Sequence, residues 1–373
     1  MAEANRLMQF FFQLVRIDSL SFREKKVVQF LASKMEALGL ETVVDGAGSA
    51  IDGDTGNLTA HLKGEAGLPR IIFSAHVDTV EPGRAVDPIV RGGVVKSAGS
   101  TILGADDKAG VAAILELAHN LVEEKVRTGD IFFVFTVAEE KGLLGAKHLQ
   151  LEGLRADYAY VIDGDGPVGG IVLKAPSQNS LTALFRGKAA HAGVAPDDGV
   201  NAIQAAAFGI SKLKLGRVAK STTANIGVIR GGLAANIVPD ETVVEGEVRS
   251  FSSAKLGSQT KQMSRLMKSG AAAAGAKVEV SVERAYDSFS FSRRDKIVKH
   301  VLSAFRNVGV EPRPFSSGGG SDANVLNKLG IPALNLSCGV KGAHTVEEHV
   351  AVDDMGTLSK VLPEIVRVAA NRG

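Results

Sequence analysis

The sequence holds little from which a cross-linked, membrane-spanning or polyanion-binding protein could be built. It has a single cysteine, Cys338. A lone thiol excludes an intrachain disulfide, fits a reducing compartment and reads as a small buried hydrophobe. Lysine plus arginine (43) almost balance aspartate plus glutamate (41), and the net charge of +2 sets up no global field for nucleic acid or anionic lipid. Any binding site must therefore be local, and neither nucleic acid nor a membrane is expected as a partner. No apolar run approaches the roughly 20 residues of a membrane span, and those at 71–75 and 131–138 have the length of buried strands. The start, MAEANRLMQFFFQLVRIDSL, lacks a basic end, a continuous apolar core and a small-residue cleavage site. It reads as a helix of the mature protein, and a cytoplasmic location is expected. There is no repeat, no low-complexity tract and no charge run long enough to be a tail.

What is present is a large globular composition: 373 residues, 45% hydrophobic and 23% charged, enough for two domains. Residues 5–40 carry helical spacing, with Phe30, Leu31, Met35 and Leu38 at three- and four-residue steps before Gly39. Strands are expected at 57–62, 71–77, 131–137 and 158–163, with a helix at 109–122 between them. This alternation predicts an α/β domain with a mostly parallel sheet, whose functional side chains collect beyond the carboxyl ends of the strands. Past Pro176 the order changes to strand 180–187, helix 201–213, strands 222–229 and 242–251, helix 254–274 and strand 277–287. That βαββαβ order is the ferredoxin-like pattern. It predicts an inserted domain at 178–288 within a main domain made of 1–177 and 289–373. The main sheet is expected to resume through 298–305 and 333–337, ahead of a last helix.

Carboxylates and histidines gather at the predicted strand ends. His76 and Asp78, two apart at the end of RIIFSAHVDTV, leave the same face, a spacing that suits a metal-bound imidazole and the carboxylate that orients it. Asp106 and Asp107 in GADDKAG precede an apolar helix, where they serve equally well as helix-capping acids. Glu139 and Glu140 follow a buried-looking strand. Two adjacent carboxylates there need a cation or a shared proton to offset their repulsion, and adjacent residues point in different directions. Asp163 ends YAYVID, and His344 sits in a glycine-flanked loop, GAHTVEEH. Together these make a mixed nitrogen and oxygen set suited to zinc, or less specifically to manganese or cobalt. The two histidines disfavour an all-oxygen calcium or magnesium site.

The segments SAHVDTV, GADDKAG, AEEKGLLGA, VIDGDG, HAGVAP, ANIVPD, GGGSDAN and AHTVEEHV, in this order over nearly the whole chain, resemble those of the di-zinc exopeptidase family that includes peptidase T, carboxypeptidase G and acetylornithine deacetylase. Peptidase T is the nearest of these. The resemblance implies two divalent ions per chain, His76 and Asp163 on one, Glu140 and His344 on the other, and Asp106 bridging both. It implies Glu139 as general base, Asp78 as the partner of His76, and a homodimer through the inserted lid domain. It further implies that His191 stabilises the tetrahedral oxyanion, that Asn236 binds substrate and that Arg249 meets the terminal carboxylate of a peptide. An ion pair inside the inserted domain is the competing role for Arg249.

Gly319 and Gly320 offer backbone close to substrate, with turn formation as the competing role. Where peptidase T has an arginine before its Gly-Gly-Thr-Asp, this chain has Gly318. A positive charge expected near substrate is thereby removed. The function expected is a tripeptide aminopeptidase acting on short peptides. A dipeptidase or N-acyl-amino-acid deacylase of the same family is the alternative, and a catalytically silent metal-binding protein of the same fold stands further off. His61, His119, His148, His300 and His349 have no partner motif and are assigned to surface or structural roles.

Overall fold

The computed structural model describes residues 2–151 and 153–371. The chain divides into two compact units. One takes in the chain up to Leu173, Ser290–Ser317 and everything from Ser321 onward; the second is Lys174–Phe289 with Gly318–Gly320.

In the first unit the apolar runs become strands buried on both faces. All six residues of Ile71–His76 and all six of Ile131–Thr136 are buried, which is why the sequence shows continuous runs there rather than alternation. Among the described residues the main sheet has nine strands. Its order begins Glu41–Val44, Leu58–Leu62, Ile131–Thr136, Ile71–His76, Tyr158–Gly164 and ends Ala333–Ser337, Gly170–Ala175, Phe289–Ser290, with Arg313–Ser316 paired to Gly170–Ala175. The four central strands, Ile131–Thr136 to Ala333–Ser337, run parallel. The flanks do not: Glu41–Val44 on Leu58–Leu62, Leu58–Leu62 on Ile131–Thr136, and Gly170–Ala175 on Ala333–Ser337 are antiparallel. The expected mostly parallel sheet is thus corrected to a mixed one. A parallel return needs a crossover of a dozen or more residues, usually a helix. The helix Ala105–Glu123 lies in such a crossover, between Ile71–His76 and Ile131–Thr136.

A second correction concerns 298–305, which lies in the amphipathic helix Lys296–Asn307 and not in the sheet. Its Ile297, Val298, Val301 and Phe305 recur at helical spacing and enter the core. The helix expected at 109–122 extends over Ala105–Glu123, although Asp106 and Asp107 at its start are not helical in φ and ψ. It packs closely on the sheet at Gly110, where an added Cβ would stand 2.1 Å from the carbonyl oxygen of Ile162. A small antiparallel sheet, Val340–Lys341, His349–Ala351, Val94–Ser97 and Pro88–Arg91, carries the loop that holds His344 at its hairpin end. Cys338 is a buried core residue. No helix among the described residues is long and apolar enough to cross a membrane.

The second unit is an antiparallel sheet in the order Gly216–Ala219, Thr222–Gly231, Glu241–Ser250, Ser177–Arg186, Lys277–Tyr286. Along Ser177–Arg186 alternate residues are buried, with Leu181, Ala183 and Phe185 facing the helices Ala202–Ile210 and Ser253–Ala273. Those helices approach closely because small residues meet: Ala205 and Gly209 lie against Gly270, where a Cβ would come within 2.3 Å of the Gly209 nitrogen. The short strand Gly216–Ala219 adds an edge to the βαββαβ order.

Candidate metal centre

The central strands end side by side. His76 closes Ile71–His76 opposite Thr136, Asp163 lies near the end of Tyr158–Gly164, and Glu139 and Glu140 follow Ile131–Thr136 in a 3-10 turn, Glu139–Lys141. This is the carboxyl edge at which open α/β sheets bind ligands. The turn is held by hydrogen bonds and not by local propensity. Ala138 and Leu143 take left-handed φ of 48° and 62°, at a cost of roughly 1–2 kcal/mol each. Against that cost, Glu24 Oε1 accepts the Ala138 N–H at 3.0 Å, and Asp78 accepts the N–H groups of Glu139 (2.9 Å) and Glu140 (3.2 Å).

His76 Nδ1 stands 3.0 Å from the Asp78 carbonyl oxygen and 3.3 Å from its Oδ1, and Ser21 Oγ donates to Asp78 Oδ2 at 2.7 Å. The ring is thereby turned so that Nε2 faces Asp106 Oδ1 at 3.1 Å and Asp163 Oδ1 at 3.7 Å. Across the site, His344 Nε2 lies 3.3 Å from Asp106 Oδ2 and 2.6 Å from Glu140 Oε1. The two oxygens of Asp106 therefore face different imidazoles. The set His76, Asp106 and Glu140 and the set His76, Asp107 and Asp163 each bring one donor atom per residue within 4.8 Å of one another.

The electrostatics show what such a cluster requires. Burial pushes the Glu139, Asp163 and Asp107 carboxyls well above the ordinary carboxylate range, and neighbouring carboxylates push them further. Asp106 moves the opposite way: burial opposes its charge, but His344 and His76 outweigh it and hold the carboxyl low. His344 is raised to about 10 by Asp106 and Glu140, and His76 rises because hydrogen bonds to Asp106 and Asp78 overcome its burial. Among the described residues Asp107 Oδ2 and Asp322 Oδ1 are buried without a hydrogen-bond partner. Carboxylates outnumber imidazoles here, and an orphaned buried carboxylate oxygen is costly unless a proton or a cation meets it. The donor set, nitrogen and oxygen without sulfur, fits divalent ions of the zinc, manganese and cobalt kind.

The second unit holds the remaining candidates. His191 is exposed, next to the short pair Ala190–His191 and Ile237–Val238. Its Nδ1 accepts the N–H groups of Gly193 and Val194, both at 3.2 Å, so the ring proton sits on Nε2 as a free donor. Asn236 is exposed, and its backbone carbonyl oxygen accepts the N–H of Ala192 at 2.9 Å. Arg249 is engaged within its own unit: Nε and Nη2 form a fork on Glu247 at 2.8 and 2.9 Å, and Nη1 reaches the Gly318 carbonyl oxygen at 3.5 Å. Gly320 lies against Tyr286, where a Cβ would come within 2.4 Å of the ring, and Gly319 is grouped with it.

Several further residues stand around the centre, Asp322 and Glu348 among them from the segments GGGSDAN and AHTVEEHV. Asp322 is buried and accepts from Thr136 Oγ1 at 2.5 Å, burial raising its carboxyl to about 6. Asn335 Oδ1 accepts the N–H of Asp163 at 3.3 Å from the adjoining parallel strand. Glu24 and Glu348 are buried carboxylates, each raised to about 7 by burial. The unassigned histidines have ordinary roles: His61 stacks on Phe132, His300 packs edge-on against Tyr158, and His349 Nδ1 lies 2.8 Å from the Glu347 carbonyl oxygen.

A model of the peptidase family M20/M25/M40 matches residues 72–368. The chain is 40% identical over 370 residues to the uncharacterized protein YqjE of Bacillus subtilis (strain 168), covering 99% of this chain and 100% of that protein. Among solved structures it is similar to a tripeptidase from Staphylococcus aureus, with 40% identity, a TM-score of 0.91 and 99% of each chain covered. It is also similar to aminopeptidase PepT from Bacillus cereus, with 39% identity, a TM-score of 0.86, and 98% of this chain and 99% of that one covered. With a family model over most of its length and relatives near 40% identity from end to end, the chain belongs to the peptidase family M20/M25/M40.

Proposed function

We propose that this peptidase is a metal-dependent exopeptidase of short peptides, a tripeptide aminopeptidase, with His76, Asp106, Glu140, Asp163 and His344 as ligands of two divalent ions. The observation that carries the reading is Asp106, whose Oδ1 faces His76 and whose Oδ2 faces His344. Two divalent ions in such a site supply Lewis-acid polarisation of a carbonyl and a water of lowered pKa. Asp78 fixes the His76 ring, and through the N–H groups of Glu139 and Glu140 it also fixes the turn that carries the base. The Glu139 carboxylate takes a proton from the attacking water and delivers it to the leaving amine. His191 donates its Nε2 proton to the developing oxyanion, and Asn236 with the backbone at Gly319 and Gly320 holds the substrate.

Peptide length is read from the relatives described as a tripeptidase and an aminopeptidase. A dipeptidase or N-acyl-amino-acid deacylase is the second reading: Gly318 stands where peptidase T has an arginine, and Arg249 is forked on Glu247, so neither supplies the charge that would fix tripeptide length. The deciding experiment is an activity screen over di-, tri- and N-acylated peptides with zinc, manganese and cobalt. Cleavage of tripeptides from the free amino end is expected, and turnover confined to N-acyl amino acids would replace this reading with the second. A cytoplasmic location and a homodimer through the second unit belong to the same proposal. The exposed Leu233 and Val194 of that unit support the dimer, and a monomer by light scattering would reject it.

A further inference from the structure

The regular helix is capped locally, Asp107 Oδ1 taking the N–H of Gly110 at 3.2 Å, but the non-helical segment Gly104–Asp107 that leads into it is held from far away. Gly104, at φ 71°, has no side chain to satisfy the free N–H groups of this segment. A serine or aspartate at that position would do so locally. The acceptor is Glu348 instead, 1% exposed, whose Oε2 takes the N–H of Gly104 at 2.6 Å and whose Oε1 takes that of Asp106 at 2.8 Å. Glu348 stands at the base of the hairpin loop that carries His344, and its own N–H donates to the Thr345 carbonyl oxygen at 3.0 Å. Burying a carboxylate costs more than a local cap would, because its charge is taken out of water. What the distant cap adds is geometric. One side chain joins the backbone of the residue that faces both imidazoles to the loop that presents one of them.

We propose that Glu348 is a positioning residue: it sets the Asp106 carboxylate in register with His344, so that the two loops present their ligands as one preformed unit. This rests on the reading of Asp106 and His344 as metal ligands. The test is a cobalt(II) titration of the metal-free enzyme, followed by the visible absorption of the bound ion, alongside kcat and KM for a tripeptide. Wild type is expected to take two cobalt ions; a wild type that takes none rejects the ligand reading itself, whatever the variants do.

Glu348→Gln loses one acceptor oxygen, and Glu348→Asp keeps the charge but is one methylene too short to span both amides. Both are expected to bind one cobalt about 10–100-fold more weakly, with a shifted absorption band and a fall in kcat larger than any change in KM. The exposed neighbour variant Glu347→Gln should bind as wild type. Unaltered affinity and absorption in both Glu348 variants overturn the proposal, and so does a loss confined to Glu348→Gln, which would make the effect one of charge. Should the variants fail to fold, hydrogen exchange of the wild-type metal-free enzyme decides. Slow exchange of the 103–108 backbone is expected, and exchange at free-peptide rates overturns the proposal.

Discussion

Asp78 Oδ1 accepts the backbone N–H of Glu139 at 2.9 Å while lying 3.3 Å from His76 Nδ1. One fully buried carboxylate thus sets both the orientation of a proposed metal ligand and the turn that carries the proposed base. Replacing Asp78 by asparagine keeps the volume but leaves an amide nitrogen facing an N–H or the ring. We expect a loss of about 10–100-fold in metal affinity together with lower kcat. Isothermal titration of zinc into the chelated variant checks this, and wild-type affinity would leave Asp78 as a structural residue only.

Glu139→Ala removes the proposed proton carrier without removing a proposed ligand. Metal content by elemental analysis is expected to stay at the wild-type level while turnover falls about 10²–10⁴-fold. A variant that keeps its ions and its rate would exclude Glu139 as the base.

Glu24 gives a prediction in pH. Burial, and then the charge of Asp78, raise its carboxyl to about 7. The folded state therefore holds this proton more tightly than the unfolded chain does, so the associated stability is complete below the ordinary carboxylate range and is lost as pH rises through about 7. Glu24→Gln carries no such proton. Its stability relative to wild type is expected to improve by up to about 3 kcal/mol between pH 4.5 and 7.5, measured by urea unfolding of the metal-free proteins. A difference independent of pH would show that the fold leaves the Glu24 carboxyl at its ordinary value.

Chelation should abolish turnover and lower the melting temperature, because ions bound only by the folded state stabilise it by mass action and relieve the repulsion among Asp107, Glu139 and Asp163. Readdition of zinc, manganese or cobalt is expected to restore both. Full activity after exhaustive chelation, verified by elemental analysis, would remove the ions from the mechanism.

Much of the centre was legible because it sits where periodic patterns stop. The runs Ile71–His76 and Ile131–Thr136 are apolar throughout since both faces are covered, and each leads into a polar ligand or acid at the carboxyl edge. His76, Glu140 and Asp163 stand out for that reason, Asp106 and His344 are singled out with the family resemblance, and the structure brings the five together. The mixed sheet was not legible, because the direction of an edge strand depends on the length and path of the connection before it and not on its own residues. Neither was the small sheet that carries His344, whose strands are short and partly exposed.

The contacts of Glu24, Asn335, Asp322 and Glu348 could not be read from the sequence for another reason. Each is a polar residue whose partner lies elsewhere in the chain: Ala138, Asp163, Thr136, and Gly104 with Asp106. Arg249 could be named as a candidate cation, but its fork on Glu247 two residues away depends on rotamers that no spacing encodes.

The sequence by itself determined the buried central strands Ile71–His76 and Ile131–Thr136 and the histidine and carboxylates that follow them, because burial and alternation are properties of neighbouring residues. Only the tertiary structure decided that Asp106 would turn one oxygen to His76 and the other to His344, and that Asp78 and Glu348 would hold the surrounding backbone. Those relations depend on strand order and on hydrogen bonds closed across long stretches of chain, for which a linear pattern carries no signal.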